Sequence, residues 1–556
     1  MQDKLFLIAI GGTGMRCLES FVHLCAAGLF DNQEIEILTL DTDQTNGNKG
    51  RVENLIRLYN RVKTNDAGNE GGAPRSNTFF SAKLNLYQFF TDYSTAARQT
   101  FSSLSSLPEI TDEQREDNKD ISDLLFDDNV QQFNLDHGYR AQTHLGSMLM
   151  YHGIVEAARN AKKGGDDVKQ QEKELCAYLQ LLNDNSANAR VFVFGSIFGG
   201  TGASSIPVIP LALSESLRII TGGASQINLQ NILFGSTLLT DYFTFNNPNE
   251  AQSGQQKVIA CANNFALNSQ AALSFYNNDP TVQRTYKRMY HIGWPSSAKL
   301  NYSGNGDQVI TGGQQQCNPC HIAELMCATA AYNFFKDDRG KLSAIGNAEY
   351  VFRTVSTDDN GVMLLSGSSF VGPTEGEDFE NKLGAFLSFS HVILSKYSGA
   401  YDDRNGTSNF LNYLDDASFK NYNEMKEDQC KEIDLYLKEF AYKFVNGNVC
   451  FGWIYQVYKS VGNGKFLFSP EAFRTDIREL KNIDPGKIFS DEAHWWNTTG
   501  VLGSSSTKRF NTFVDNIKDP KSLPDEKQAE TLKESFLAHM YNAITISQKY
   551  YLNYAE

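Results

Sequence analysis

"VFVFGSIFGGTGASSIPVIPLAL", residues 191–213, sets a short apolar run directly against a glycine cluster and then resumes with small and apolar residues. A continuous apolar run bounded by glycine reads as a strand buried on both faces, and the residues after the turn read as the start of a helix. The beginning of the chain has the same design. "KLFLIAI", residues 4–10, runs into "GGTGM", residues 11–15, with a helix expected from Arg16, and the next apolar run, "EIEILTL", ends at "DTD", residues 41–43. Strand, turn, helix and strand in this order build a parallel sheet, whose ligands collect at the carboxyl ends of the strands. The expected fold class is α/β.

Bulk properties limit what such a sheet can serve. At 556 residues the chain exceeds one compact core, so two domains with appendages are expected. Hydrophobic residues make up 41% and aromatic ones 12%, which is ordinary for globular chains. A formal net charge of -15 argues against nucleic acid or an acidic lipid surface as partner. No run approaches the roughly 18 apolar residues of a membrane span. "LFLIAI" is too short for a signal-peptide core and runs straight into glycines, so it reads as a strand. Nine cysteines without regular spacing point to reduced thiols and a cytoplasmic location.

Along the chain, residues 44 to about 130 are polar and read as an elaboration of the sheet edge, and the helical pattern resumes at "GYRAQTHLGSMLMYHG". "INLQNILFGSTLLT" reads as another buried strand, a long helix is expected over roughly 250–277, and "RMYHIGW" reads as a short strand. "CNPCHIAELMCATAAYNFF" predicts a buried helix with Asn318 as its cap and Pro319 in its first turn. The expected organisation is a first α/β domain over 1–315, a central helix over 316–335, a smaller α+β domain over 336–470 and a helical extension over 471–556.

Three readings compete for the glycines. A P-loop needs a lysine after its last glycine, and "GSIFGGTGAS" has none. A dinucleotide fingerprint at Gly12 and Gly14 meets Cys17 where its third glycine belongs, although Asp41 stands where a ribose-binding acid would be. Neither motif accounts for a second "GGTG" at 199–202 repeating the one at 11–14. Two such turns on neighbouring strands would aim backbone N–H groups at one di- or triphosphate. "CNPCH" matches a haem attachment pattern, but lies deep in the chain on a helix start.

Five segments in order carry a resemblance to the tubulin/FtsZ superfamily. "FGGTGASSIPVI" resembles its phosphate-binding signature, "IAIGGTGM" its first phosphate loop, "LDTD" the loop that supplies an acid near magnesium, "RAQTHLG" the γ-phosphate loop and "LLTDYFTFNN" the segment closing on the ribose. The likeness covers residues 1 to about 335. It departs at Phe198, which replaces a glycine, and at Met15 and Arg16, where the bacterial branch places an Asn. The resemblance implies a divergent tubulin-like fold that binds GTP/GDP with Mg2+ through Gly11, Gly12, Thr13, Gly14, Asp41, Gly199, Gly200, Thr201, Gly202 and Ala203. It implies Asp43 as the magnesium-linked acid and Asn318, with His321 and Glu324 nearby, against the base. It further implies a head-to-tail homopolymer in which Asn347 and Glu349 of "GNAEYVF" complete a neighbour's site, with Phe352 standing where a second acid is expected. The alternatives are a non-polymerising nucleotide-binding adaptor, with an adaptor protein bound through the insertion or the C-terminal extension, and a dehydrogenase using the first loop alone.

Overall fold

The computed structural model describes residues 3–64, 69–106, 111–223, 231–245, 258, 260–301, 313–357, 362–394, 427–445, 448–461, 465–466 and 529–552. At its centre is a seven-stranded sheet: β1 (Lys4–Ile10), β2 (Glu34–Asp41), β3 (Lys83–Phe90), β4 (Ala189–Phe194), β5 (Leu233–Leu239), β6 (Tyr286–Ile292) and β7 (Glu349–Arg353). The order is β3-β2-β1-β4-β5-β6-β7, and every pairing is parallel.

Both faces of the sheet are covered, which is why its central strands are apolar throughout rather than alternating. Leu5, Leu7 and Ala9 of β1 enter one hydrophobic cluster, with α1 (Gly11–Ala26), α2 (Gly47–Lys63) and the central helix. Phe6, Ile8 and Ile10 enter the other, with α3 (Thr143–Lys163), α4 (Gln170–Asp184) and α6 (Ile209–Ile220). Between β4 and α6 lies the short α5 (Thr201–Ser205), while α7 (Phe265–Asn278) precedes β6. Residues 246–257 and 259, where the sequence predicts the start of the latter helix, lie outside the described residues.

Three expectations change. The segment after "DTD" carries a regular βαβ step: α2 crosses over and β3 pairs with β2, so only residues after 90 leave the repeat. The central helix, α8, spans Ile322–Lys336 and is capped by His321 rather than Asn318. The His321 Nδ1 accepts from the Ala323 N–H at 3.1 Å, and Glu324 reaches back to the His321 N–H at 2.9 Å. Asn318 and Pro319 stay outside because the Asn318 carbonyl is held by Arg16 and Arg51 and its side chain by Asn48. The domain boundary expected at 336 falls inside the sheet, since β7 fills the edge that β6 leaves open.

Described segments after β7 pack on the α1–α2–α8 face and share its core. Contributions come from α9 (Gly376–Leu394), α10 (Glu427–Phe440), α11 (Trp453–Ser460) and α12 (Leu532–Leu552). Small sheets pair Ser356–Thr357, Met363–Leu365 and Lys465–Phe466, and Tyr442–Val445 with Asn448–Phe451. Residues 467–528, which include most of the expected C-terminal extension, lie outside the described residues. The helix after them is docked, with Tyr541 against Phe79 at 5.2 Å and Glu534 on Arg75 at 2.6 Å. Among the described residues no helix is long and apolar enough to cross a membrane.

Candidate nucleotide site

In the strand order, β1 sits between β2 and β4, so chain connections depart in opposite directions from these two central strands. That switch point leaves a crevice beyond their carboxyl ends, and a cavity lies there. Both glycine loops meet in it. Gly11, Gly12 and Thr13 enter from the end of β1, and Gly199, Gly200, Thr201 and Gly202 from the end of β4. The turn after β1 is itself the first turn of α1, which begins at Gly11 rather than Arg16. Its leading N–H groups therefore have no acceptors within the helix.

The loops touch, and a third joins them. A methyl group on Gly11 would come within 3.1 Å of the Thr201 side chain, and Gly11 has φ +65°. A methyl on Gly200 would meet the Ala141 nitrogen at 2.7 Å, so the segment Gly138–Ala141 is packed on the second glycine loop. That segment folds as a tight turn closed by the Gln142 N–H donating to the Tyr139 carbonyl at 2.8 Å. Its two central residues, Arg140 and Ala141, have φ of +45° and +65°, the left-handed region that L side chains disfavour.

Two sequence-expected residues stand behind the cavity wall and do not line it. Gly14 packs α1 on the sheet, where a methyl group would lie 2.6 Å from the Phe194 carbonyl oxygen. Ala203 is buried, its carbonyl accepting from the Tyr276 hydroxyl.

The acids of "DTD" divide their roles. Asp43 is engaged: its Oδ2 accepts from the Gly313 N–H at 2.6 Å and its Oδ1 from the Thr45 N–H and hydroxyl at 3.0 Å. Asp41 lines the cavity 2% exposed, its Oδ1 accepting from the Thr42 N–H at 2.8 Å while its Oδ2 is buried without a partner. Burial, and then the charge of Asp43, push its carboxyl up to about 7. Among the described residues no three His, Cys, Asp or Glu side chains cluster to hold a metal. Mg2+ on a nucleotide needs only one or two carboxylates, because phosphate oxygens and waters supply the other ligands.

The remaining walls are of two kinds. One is an amide cluster, in which the Asn46 Nδ2 donates to the Gln316 Oε1 at 2.7 Å and the Asn48 Nδ2 to the Asn318 Oδ1 at 3.1 Å. Asn46, Gln316 and Asn318 line the cavity. The other is aromatic: Phe198 and Phe265 with ring centroids 4.9 Å apart, Phe245 and Phe265 at 5.7 Å, and Phe243 and Phe265 at 6.0 Å. Phe198, the departure from a glycine, thus builds a wall of the cavity. Asn46, absent from the sequence-based candidates, caps α2 and accepts from the Asn48 and Lys49 N–H groups at 2.9 and 3.3 Å. Neither Gln316 nor the clustering of the phenylalanines carries a sequence signal.

Glu324 and His321 do not face the cavity. Glu324 takes both Arg16 contacts, at 2.8 and 2.9 Å, and the Tyr242 hydroxyl at 2.7 Å, with the pair 1–2% exposed. His321 is buried between Tyr242 and Trp294, and desolvation lowers it to about 3. The neighbouring thiols are free, with Cys317 exposed and Cys320 buried beneath Arg51.

Asn347 and Glu349 lie elsewhere. Both are exposed, and Glu349 opens β7, paired in register with Arg288 at the start of β6. In an all-parallel sheet that is the amino edge, opposite the glycine loops. There Glu349 is bound to Arg288 at 3.1 Å, and Arg288 also contacts Asp337. Phe352, three residues on, is 63% exposed and packs on His291.

A scan against protein-family models finds no matching family, and searches of curated proteins and of solved structures likewise find no match.

Proposed function

We propose that this chain is a tubulin-like GTPase. It binds GTP/GDP with Mg2+ between its two glycine loops and assembles head to tail, each copy completing the next one's site. The observation that carries the reading is the placement of its two halves: paired glycine loops in contact at the carboxyl edge of the sheet, and the candidate acid at the amino edge. Glu349 cannot reach the cavity of its own molecule, whereas stacking one copy on another brings opposite edges together.

In this reading the first turn of α1 and the loop 199–202 hold the phosphates through backbone N–H groups. The amides of Asn46, Gln316 and Asn318 meet the polar edge of a base and the phenylalanines take its face. The unpartnered Asp41 oxygen, with Asp43 beside it, would hold magnesium, which when bound would offset phosphate charge. The step itself is attack of water on the γ-phosphorus with release of GDP, inorganic phosphate and a proton. Glu349 and Asn347 of a neighbouring copy orient that water.

The ion pair of Glu349 with Arg288 and the apolar Phe352 in place of a second acid favour one further reading: a nucleotide-binding adaptor that does not polymerise. Phosphate release from GTP and magnesium, followed against protein concentration for wild type and Glu349→Gln, separates them. The GTPase reading expects a rate rising more steeply than linearly above a threshold and falling by about 10²-fold or more in the variant. Activity strictly proportional to concentration, or none, moves the adaptor ahead.

A further inference from the structure

The helix Asp112–Leu125 is set on the molecule with its polar side inward. Arg115 and Asn118 are half-buried and Ser122 is buried, one turn apart along the face that meets the protein. Ile121, Leu124 and Leu125 point away and are 56, 84 and 55% exposed. At about 3.6 residues per turn these three form one stripe on the outer side. Helices resting on a core show the reverse arrangement, and three large aliphatic side chains gathered on one exposed face mark an interaction surface.

The helix does not depend on that stripe to form. Thr111 and Gln114 close a capping box, Asp112 and Glu113 occupy the first turn, and Phe126 pins the far end between Phe101 and His144, each at 5.1 Å. Charge decides the occupant. Residues 112–125 carry six acids against two bases, and Glu113, Glu116, Asp117 and Asp120 run along the stripe's flank and its amino-terminal turn. These acids lie beside the stripe itself, so they repel an acidic surface set against it, whether the same helix of a second copy or an anionic membrane, and favour a basic one.

We propose that Asp112–Leu125 is a docking helix, which lays Ile121, Leu124 and Leu125 into an apolar groove rimmed by Lys and Arg on a different, basic protein. The inference stands apart from the nucleotide reading, because no residue of this helix lines the cavity.

To test it, full-length protein carrying a photo-reactive phenylalanine analogue in place of Leu124 is irradiated in extract of its native cells. The captured protein is then purified and titrated calorimetrically against wild type, Ile121→Ser/Leu124→Ser/Leu125→Ser and Glu113→Lys/Glu116→Lys/Asp120→Lys. The expected result is a basic protein whose Kd weakens at least about tenfold with each variant and further with added salt, while the urea midpoint stays at the wild-type value. The proposal is overturned by any of five results: no capture, crosslinking to a second copy, co-sedimentation with phosphatidylglycerol vesicles, a captured protein indifferent to both variants, or loss of stability in the serine variant.

Discussion

Asp41 holds its carboxyl in an environment that resists ionisation, and the consequence for stability has a definite sign. Its ordinary value of 3.8 is pushed up to about 7 by burial and by Asp43. Below about pH 4 the group is protonated in both folded and unfolded chains. Between there and pH 7 the folded state keeps a proton that the unfolded chain releases, so stability falls as pH rises, by up to about 4 kcal/mol at about 1.36 kcal/mol per unit. Asp41→Asn removes this dependence. Urea denaturation at pH 5 and pH 8 should therefore show the variant gaining on wild type at the higher pH, and a difference independent of pH would contradict the assignment. That Asp41 ends a strand was legible from "EIEILTL" running into "DTD". That Asp43, one pleat on, is occupied by Gly313 and Thr45 was not, because the partner glycine arrives from 270 residues away.

At the scale of elements, α1 and α8 are joined by a buried pair, Arg16 with Glu324, on which Tyr242 and the cap of α8 also converge. Removing one member leaves the other charged and desolvated. Arg16→Met should cost about 3–5 kcal/mol, and Arg16→Met/Glu324→Leu substantially less than the two single variants summed. Equilibrium unfolding of the three proteins measures both quantities, and strictly additive losses would show that the pair does not act as a unit. This pair also explains a misread helix start. Asn318 followed by proline is a strong local cap signal, but the guanidinium of Arg16 claims the Asn318 carbonyl, and the helix waits until His321. Strand and helix periodicity otherwise placed β1, β2, β4, β5 and β6 from sequence. β7 was also legible, as the strand pattern of "AEYVFRTVST", whereas β3 showed only as the strand-like piece "NLYQFF", and its place at the sheet edge is set by its pairing with β2 and not by its own pattern.

For the whole molecule, the single core on the α1–α2–α8 face joins segments that sequence alone divides into domains, since composition marks linkers but not which apolar faces meet. The docked α12 buries Phe536, Leu537, Met540, Tyr541 and Ile544, each at most 6% exposed. At about 1.5–3 kcal/mol for each buried side chain, losing the helix removes an amount comparable with the whole stability of an ordinary domain. Truncation before residue 529 should therefore yield aggregated protein. A soluble truncated form with an unchanged melting temperature would show that the helix is dispensable.

The turn at Tyr139–Gln142 has a practical consequence for anyone redesigning this protein. Two consecutive L residues held in the left-handed region cost about 1–2 kcal/mol each, and Asn-Gly is the pair that would relieve them. Arg140 is tied in by its contacts with the Val258 carbonyl and the Phe133 ring, so it is not a free choice. Ala141 has no such engagement of its side chain and sits against the glycine loop. Shelf life is therefore set in part at a residue that also lines the cavity, and a glycine there would be the first substitution to add to a thermostable version.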